Sequence, residues 1–260
     1  MNSQSLQVIL VSIGNTRARV AAGGETGLEP SQVFDCADTG PLAAAIRELA
    51  TRHSITEVAV ASVNKPVTSA LERLLAADGT MTIKRIGIDI PIPLQNTLSD
   101  DSTVGQDRLL CALGAFARSK QACIIIDAGT AVTVDFVDGE GVFHGGAIAP
   151  GLAMMRDALH EKTAALPKVE IPRALQQDAA KAPFGKNTAE AINLGITSAV
   201  IGLAHHLIDR YAEFYAAYPR VVATGGDAAL LFENDALVES IVPDLPLLGM
   251  LTAWELAGEE

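Results

Sequence analysis

Hydrophobic and polar positions along the chain follow one pattern twice. A short apolar run ends in a turn with glycine and a hydroxyl residue, and further strand-like and then helix-like segments follow it, first from residue 8 and again from residue 122. Short apolar runs bounded by glycine are typical of buried strands, whereas apolar residues spaced three and four apart are typical of helices. The repeat therefore predicts two similar α/β domains, residues 1–118 and 119–260, that face each other across a ligand cleft.

The same pattern predicts the individual elements. In the first half we expect strands at 8–13, 17–22, 57–63 and 82–86, and helices at 41–52, 66–77 and 107–118. In the second half we expect strands at 122–127, 132–137, 142–148 and 221–223, and helices at 151–165, 188–218, 228–232 and after Pro246. Residues 87–104 and 166–186 hold prolines and charges without periodicity, which predicts loops.

The composition is that of a globular protein, with 49% hydrophobic and 19% charged residues in a chain of 260. Because only 4% of the residues are aromatic, the core must be built from Ala, Val, Leu and Ile. The formal net charge of −12 disfavours nucleic acid and anionic membranes as partners, since both are negatively charged. Any phosphate group that the protein binds must be held locally, by backbone N–H groups, a few cations or a metal.

Cysteines and terminal segments point to an intracellular protein. Cys36, Cys111 and Cys123 are far apart and predict neither a disulfide framework nor a zinc cluster, and the last two occur in apolar stretches typical of a core. The N-terminus has no basic segment followed by a cleavable apolar run, so we expect no signal peptide. The longest apolar runs are shorter than a membrane span, and the cytoplasm is the expected compartment.

Two matching turns carry candidate chemistry. Gly14–Asn15–Thr16 follows the first apolar strand, and Asp127–Ala128–Gly129–Thr130 holds the equivalent position in the second half. Successive backbone N–H groups in such turns bind anions, although a plain hairpin turn has the same appearance. An aspartate at the end of a buried strand needs a cation or hydrogen bonds as partners. Two such turns, one in each half, predict that a polyphosphate is held from both sides.

Gly105–Gln106–Asp107–Arg108 opens a predicted helix. Asp107 is compatible with an ordinary first-turn acid, which the helix dipole favours. With Arg108 beside it, Asp107 is also suited to take a proton from a hydroxyl group, while the guanidinium binds an acidic substrate. The chain lacks a Walker A pattern and a G-x-G-x-x-G fingerprint. Together with the two turns, this segment predicts transfer of a phosphoryl group from ATP to a small hydroxyl substrate.

In order and spacing, these segments make the chain similar to type III pantothenate kinases, a branch of the superfamily that includes sugar kinases, acetate kinase and actin. The resemblance runs nearly end to end. The residues that carry it are Ile13–Gly14–Asn15–Thr16, Val104–Gly105–Gln106–Asp107–Arg108, Asp127–Ala128–Gly129–Thr130, Gly145–Gly146, Pro150–Gly151, Asn187–Thr188, Gly195, Thr224–Gly225–Gly226, Pro243–Asp244–Leu245 and Gly249.

The resemblance implies a fold of two ribonuclease-H-like domains, each a mixed β-sheet flanked by helices, facing a nucleotide cleft. It implies a homodimer that uses Mg²⁺ with ATP, a monovalent cation (potassium or ammonium) held by Asp127, and Asp107 as the proton acceptor. The residues implied to bind ATP are Ser12, Ile13, Gly14, Asn15, Thr16, Arg17, Ala18, Arg19 and Thr130. Those implied to bind pantothenate are Gly105, Gln106, Asp107, Arg108 and Thr188.

Two positions depart from the family pattern. Ser12 stands where the family has an aspartate associated with Mg²⁺, and Leu98 stands where the family usually has a tyrosine of the pantothenate site. A serine hydroxyl is a poorer Mg²⁺ ligand than a carboxylate. Three hypotheses therefore remain open at this point: an active pantothenate kinase, a non-catalytic nucleotide-binding relative with an accessory or regulatory role, and a kinase of another small hydroxy acid or sugar.

Overall fold

The computed structural model describes residues 6–76, 79–172 and 183–258. Two compact units form. The N-terminal unit holds the chain up to Lys120, the short segment Gly141–Phe143 and the segment from Asp244 onward, and the C-terminal unit holds Gln121–Glu140 and His144–Pro243. The domain boundary that the sequence predicts near residue 118 stays a prediction.

Runs of strands are separated by helices along the described part of the chain. The strands are β1 (Leu6–Ile13), β2 (Arg17–Gly24), β3 (Gly27–Leu28), β4 (Gln32–Asp35), β5 (Glu57–Ser62), β6 (Thr82–Arg85), β7 (Cys123–Ala128), β8 (Ala131–Val137), β9 (Phe143–Pro150), β10 (Arg220–Thr224) and β11 (Ser240–Ile241). The helices are α1 (Thr39–His53), α2 (Lys65–Ala76), α3 (Gln106–Ser119), α4 (Leu152–Glu161), α5 (Thr188–Tyr215), α6 (Ala228–Phe232) and α7 (Leu245–Gly258).

The sheet of the N-terminal unit is mixed. Its order is β3-β2-β1-β5-β6, with β4 also paired to β2. β1 runs antiparallel to β2 and parallel to β5, and β5 runs parallel to β6. Side chains alternate between the two faces, so Ile9 and Val11 pack in a cluster with α1 and α2, whereas Val8 and Leu10 pack in a cluster with α3 and α7.

Helices α3 and α7 approach each other closely within the N-terminal unit. A Cβ atom built on Gly249 would lie 1.9 Å from the carbonyl oxygen of Leu110, and one built on Gly114 would lie 2.7 Å from that of Leu245. Glycine at both positions lets the two backbones meet. This contact returns the last segment of the chain to the unit in which the chain begins.

The sheet of the C-terminal unit repeats this pairing. Its order is β11-β10-β7-β8-β9, with β7 antiparallel to β8 and parallel to β10, and β10 parallel to β11. One face packs against α5, whose Val200, Ala204 and Ile208 are fully buried beside Ile124 and Ile126 of β7. The predicted fold class, mixed sheets flanked by helices in two ribonuclease-H-like sheets, is confirmed.

Most element predictions lie within a few residues of the observed bounds. The differences are at ends and edges: β3, β4 and β11 are short edge strands without a periodic signal, and α4 ends at Glu161 rather than 165. Helix α5 ends at Tyr215 rather than 218, because Ala216 adopts a left-handed conformation with a φ of 55° and closes the last turn. The predicted loop 166–186 lies partly outside the described residues.

The long helix predicted at 188–218 is observed as α5, Thr188–Tyr215, and it is more apolar than the sequence analysis expected. A window of 18 residues within this 28-residue helix reaches a mean hydropathy of 1.5, so that by length and composition alone the helix could cross a membrane. In the structure, 39% of that window is buried, and the buried residues pack on the sheet of the C-terminal unit. This packing is typical of a core helix, and a core helix can have the same length and apolar composition as a membrane-spanning one.

Candidate active site

The turn between β1 and β2, residues 14–16, is held by its carbonyl groups. The backbone N–H of Cys36 donates to the carbonyl of Thr16 at 2.9 Å, and the Cys36 thiol contacts the carbonyl of Gly14 at 3.5 Å. Nδ2 of Asn64 donates to the carbonyl of Asn15 at 3.1 Å. All three carbonyl oxygens are therefore bound within the unit. A turn that binds an anion must direct its carbonyls away from the ligand in this way.

The strand residues beside this turn divide into core and surface. The side chains of Ile13 and Ala18 are buried, with exposed fractions of 2% and 0%, so only their backbones could contact a nucleotide. Asn15, Thr16 and Arg17 are exposed. The predicted ATP-binding segment therefore offers backbone groups and the side chains at 15–17 at its tip.

Ser12 and Arg19 face each other across the β1–β2 pair. Nη1 of Arg19 lies 3.2 Å from Oδ1 of Asp244, and the hydroxyl of Ser31 donates to the same oxygen at 2.5 Å. Arg19 is thus oriented by a carboxylate at the start of α7. Sequence analysis did not assign this partner, because Asp244 is 225 residues away along the chain.

Asp107 lies in the first turn of α3. Its Oδ1 accepts a hydrogen bond from the backbone N–H of Arg108 at 2.9 Å, and Gly105, the N-cap residue, makes no side-chain cap. Asp107 therefore lies in the first turn of a helix, as the sequence predicted. Its side chain is only partly buried. A partly exposed carboxylate at a helix N-terminus is placed to accept a proton from a ligand that binds there.

Arg108 and Leu98 lie near the same short segment, Gly141–Phe143, of the N-terminal unit. The guanidinium of Arg108 lies over the ring of Phe143, with its carbon atom 5.7 Å from the ring centre. The residue before Leu98, Thr97, donates its backbone N–H to the carbonyl of Phe143 at 3.0 Å. Phe143 thus contacts both the loop that carries Leu98 and the side chain of Arg108.

The turn after β7, residues 127–130, is enclosed by two glycines of the C-terminal unit. A Cβ atom at Gly151 would lie 2.0 Å from the carbonyl oxygen of Gly129. One at Gly225, whose φ is +96°, would lie 2.2 Å from the carbonyl oxygen of Ala128 and 2.5 Å from Oδ1 of Asp127. Three strand ends therefore meet backbone to backbone.

Asp127 belongs to a row of oxygen-bearing side chains. In register it pairs with Thr133 on β8 and with Thr224 on β10, so the three side chains lie on one face of the sheet. Asp135, two residues beyond Thr133, points to the same face and is 1% exposed. This face is opposite the one that packs against α5, which carries Ile124 and Ile126.

The oxygen donors around Asp127 fit a metal ion that is held partly by a bound phosphate better than one held by protein side chains alone. Within the described residues, no three His, Cys, Asp or Glu side chains are grouped so that they could hold a metal ion. Mg²⁺ is commonly held by one or two carboxylates together with substrate phosphates, and monovalent cations also take oxygen ligands. Asp127, with the adjacent threonine hydroxyls, fits an ion that shares its ligands with a bound phosphate.

Thr188 occupies the first turn of α5. The side chain of Asn187 accepts from the backbone N–H of Glu190 at 2.9 Å, and the Glu190 carboxylate accepts from the backbone N–H of Lys186 at 2.7 Å. These reciprocal bonds fix the start of the helix. Thr188 is exposed there, so its hydroxyl is accessible.

Asn64 is a second contact of this site, after Asp244, that sequence analysis missed. It lies between β5 and α2 and binds the Asn15 carbonyl, while its own Oδ1 accepts from the backbone N–H of Val67. Its role at the start of α2 could have been predicted, because an asparagine two residues before Pro66 is typical of a helix start. Its second role, at a turn 49 residues earlier, could not be read from that pattern.

A family model described as type III pantothenate kinase matches residues 8–210. The chain belongs to this family. Among its relatives, the type III pantothenate kinase of Syntrophotalea carbinolica is 34% identical over 196 residues, which is 75% of this chain and 74% of that protein. The type III pantothenate kinase of Dehalococcoides mccartyi is 35% identical over 202 residues, 78% of this chain and 76% of that protein.

Solved structures show the fold of this type III pantothenate kinase family member at lower identity. A Baf family protein from Campylobacter jejuni has a TM-score of 0.57 at 18% identity and covers 97% of this chain and 100% of its own. Component A of the (R)-2-hydroxyglutaryl-CoA dehydratase of Acidaminococcus fermentans has a TM-score of 0.56 at 15% identity, with 98% of each chain covered. At these identities the likeness extends to the fold alone.

Proposed function

We propose that this protein transfers the γ-phosphoryl group of ATP to the primary hydroxyl of pantothenate, which gives 4′-phosphopantothenate, the first step of coenzyme A biosynthesis. The observation that carries the proposal is a family match across residues 8–210 that includes Asp107, a partly exposed carboxylate at a helix N-terminus. An alcohol acceptor needs such a base, or an orienting group, next to its hydroxyl.

ATP would be bound by the turn at residues 14–16, the neighbouring arginines and Thr130. In the N-terminal unit, the turn at residues 14–16, with its carbonyls held by Cys36 and Asn64, would direct N–H groups at the phosphates. Arg17 at the tip and Arg19, oriented by Asp244, would add positive charge. In the C-terminal unit, Thr130 would contact ATP. In a protein with a net charge of −12, such local groups must supply the attraction for phosphate.

The acceptor would be bound at the start of α3. Asp107 would accept or orient the proton of the primary hydroxyl, and the oxygen would attack the γ-phosphorus in line. Arg108, held over Phe143, would pair with the carboxylate of pantothenate, while Gly105, Gln106 and Thr188 would make further contacts. Most of the rate would come from positioning and electrostatics.

Two kinds of cation would support this chemistry. A divalent metal, Mg²⁺, would accompany ATP and neutralise charge on its phosphates. Asp127 would hold a monovalent cation, potassium or ammonium, on the face that also carries Thr133 and Thr224. We further propose that the protein is a cytoplasmic homodimer, which light scattering of the purified protein would test.

The main alternative is a non-catalytic nucleotide-binding relative, and Ser12 is its support. The names of the relatives favour the kinase. Nucleotide binding with and without Mg²⁺ separates the two, because a kinase needs the metal for productive ATP binding. A kinase of another hydroxy acid, which Leu98 would permit, is separated by comparing acceptors.

The decisive experiment measures ADP release from ATP with pantothenate present and absent, in Mg²⁺ and potassium. Pantothenate-dependent release, with phosphopantothenate identified by mass, is expected. Folded protein that releases no ADP with pantothenate would contradict the proposal, and ADP release with a different acceptor would identify the substrate instead.

Asp107→Asn is expected to lower turnover by about 100-fold or more while ATP binding is retained, because the amide cannot accept the hydroxyl proton. Asp38→Asn is a matched control, since Asp38 caps α1 through the Gly40 N–H and asparagine caps equally well. Steady-state turnover and nucleotide titration measure both variants. Equal turnover in the Asp107 variant and the parent would remove Asp107 from the mechanism.

A further inference from the structure

Gly87 lies in a tight turn that follows β6. Its φ angle is +83°, and its backbone N–H donates to the carbonyl of Ile90 at 2.6 Å. The side chains of Ile86 and Ile90 are 1% and 4% exposed and anchor the turn in the core. The carboxylate of Asp89 accepts the backbone N–H of Arg85 at 2.7 Å. The turn therefore presents a fixed backbone surface.

The side chain of Gln106 rests on that surface. A Cβ atom built on Gly87 would lie 2.3 Å from Nε2 and 2.9 Å from Cδ of Gln106. Real Cβ atoms essentially never come so close to another heavy atom. The Gln106 amide consequently occupies the place that a side chain at residue 87 would take, and any larger residue there must displace it.

Gln106 precedes Asp107, and a second glycine accommodates that neighbour. A Cβ atom on Gly105 would lie 2.4 Å from Oδ1 of Asp107. Two glycines therefore leave room for the two adjacent polar side chains at the start of α3. No hydrogen bond joins the Gln106 carboxamide to the described residues, so its donors and its acceptor are available to a ligand.

We propose that Gly87 is a positioning residue for acceptor binding, because it lets the turn hold the Gln106 carboxamide towards a polar, uncharged group of the acceptor. The inference rests on the proposed function and deepens it. A carboxamide both donates and accepts hydrogen bonds, which matches an amide or a secondary hydroxyl on the acceptor. Since Gln106 carries no reacting proton, its displacement weakens acceptor binding rather than the chemical step.

The test is Gly87→Ala in the full-length protein, assayed with pantothenate and ATP. We expect the KM for pantothenate to rise by about five- to tenfold, with kcat within about twofold of the parent and an unchanged KM for ATP. The matched control is Gly27→Ala. Gly27 also has a positive φ, +101°, but its added Cβ would have no heavy atom within 4 Å. The control carries the same kind of backbone strain and is expected to keep the parent's KM for pantothenate.

A double-mutant comparison separates positioning from general destabilisation. In a Gln106→Ala background, Gly87→Ala is expected to have no further effect on the KM for pantothenate, because the displaced side chain is already absent. Independent, multiplicative effects of the two changes would overturn the proposal. An unchanged KM for pantothenate in Gly87→Ala alone would also overturn it.

Failure of the inference and failure of the proposed function give different results. If the parent shows no pantothenate-dependent turnover, the proposed function fails and the inference falls with it. If the parent turns over and Gly87→Ala behaves like Gly27→Ala, only the inference fails. Should Gly87→Ala not fold, Gln106→Met, which keeps the length but removes the amide, must raise the KM for pantothenate, and a parental KM would refute the proposal.

Discussion

The turns at residues 14–16 and 127–130 occupy equivalent places in two sheets of the same topology, yet they are stabilised differently. The first is held by groups that reach its carbonyls from other segments, the backbone and thiol of Cys36 and the amide of Asn64. The second is enclosed by the backbones of Gly151 and Gly225, with no space for a side chain at either position.

This difference shows that a repeated fold does not require repeated contacts. Hydrogen bonds through side chains tolerate small shifts, whereas backbone contacts through glycine do not, because a Cβ atom has nowhere to move. We therefore expect a side chain added at a glycine of the second turn to impair folding more than one added in the first turn, whereas changes of polar side chains at either turn mainly affect ligand binding. Four predictions test this expectation, in order of decreasing effect.

Gly151→Ala is expected to lower the free energy of unfolding by about 3 kcal/mol, because its methyl group would overlap the Gly129 carbonyl. Gly14→Ala is the matching change in the first turn. Its Cβ would lie 3.2 Å from the Arg17 carbonyl, so a loss of about 1 kcal/mol or less is expected. Urea denaturation followed by circular dichroism measures both. Equal losses would end the distinction between the two turns.

Asp127→Asn removes the charge of the second turn while keeping its shape. We expect the potassium concentration needed for half-maximal activity to rise about 10- to 100-fold, since a neutral amide binds a cation more weakly. Turnover measured across a potassium series gives the answer. Ser12→Ala, beside the first turn, is the comparison and should leave the potassium concentration for half-maximal activity unchanged. If Ser12→Ala raised this concentration and Asp127→Asn did not, the potassium site would belong to the first turn.

Asn64→Ala removes the hydrogen bond to the Asn15 carbonyl. We expect the KM for ATP to rise about fivefold, because one hydrogen bond that orders the first turn is lost. Asn193→Ala is a matched control, since Asn193 donates to the Glu170 carbonyl at 3.1 Å, the same distance as in the Asn64 bond. If both variants changed the KM for ATP alike, the effect would not belong to the turn.

The thiol of Cys36 reports on the first turn. Burial, with a smaller effect from the charge of Asp35, raises the pKa of this thiol. A raised pKa leaves less thiolate at any pH below it, so alkylation by iodoacetamide at pH 8 should be slower than for free cysteine. Peptide mass spectrometry at Cys36 gives the rate, and urea-unfolded protein serves as the control. Equal rates in folded and unfolded protein would mean that the turn opens freely.

Local pattern was enough to predict most elements. Runs such as Val8–Ile13 and Ala122–Asp127 are apolar and bounded by glycine, and they became β1 and β7. Edge strands β3, β4 and β11 were missed because two to four residues carry too little periodicity. Helix α5 was predicted at 188–218 and ends at Tyr215, because the residue with the left-handed conformation that closes it is Ala216 and not the glycine that would have marked the end.

The candidate site could be predicted only where its residues stand in local motifs. Gly14, Asp107 and Asp127 stand in short local motifs, so their positions at turns and at a helix start could be inferred. Asn64 and Asp244 could not, because each contacts a segment 49 or 225 residues away. Nothing in the local sequence of Gly87 indicates that the amide of Gln106 lies on it.

By itself, the sequence determined the two-fold repeat of strand, turn and helix, the family, and the residue types available for phosphate and acceptor, because these follow from local periodicity and motif order. Only the tertiary structure decided which groups hold each turn, which carboxylate orients Arg19, and which glycines are closed to side chains. Those outcomes depend on close contacts between segments far apart in the chain, and no local pattern encodes them.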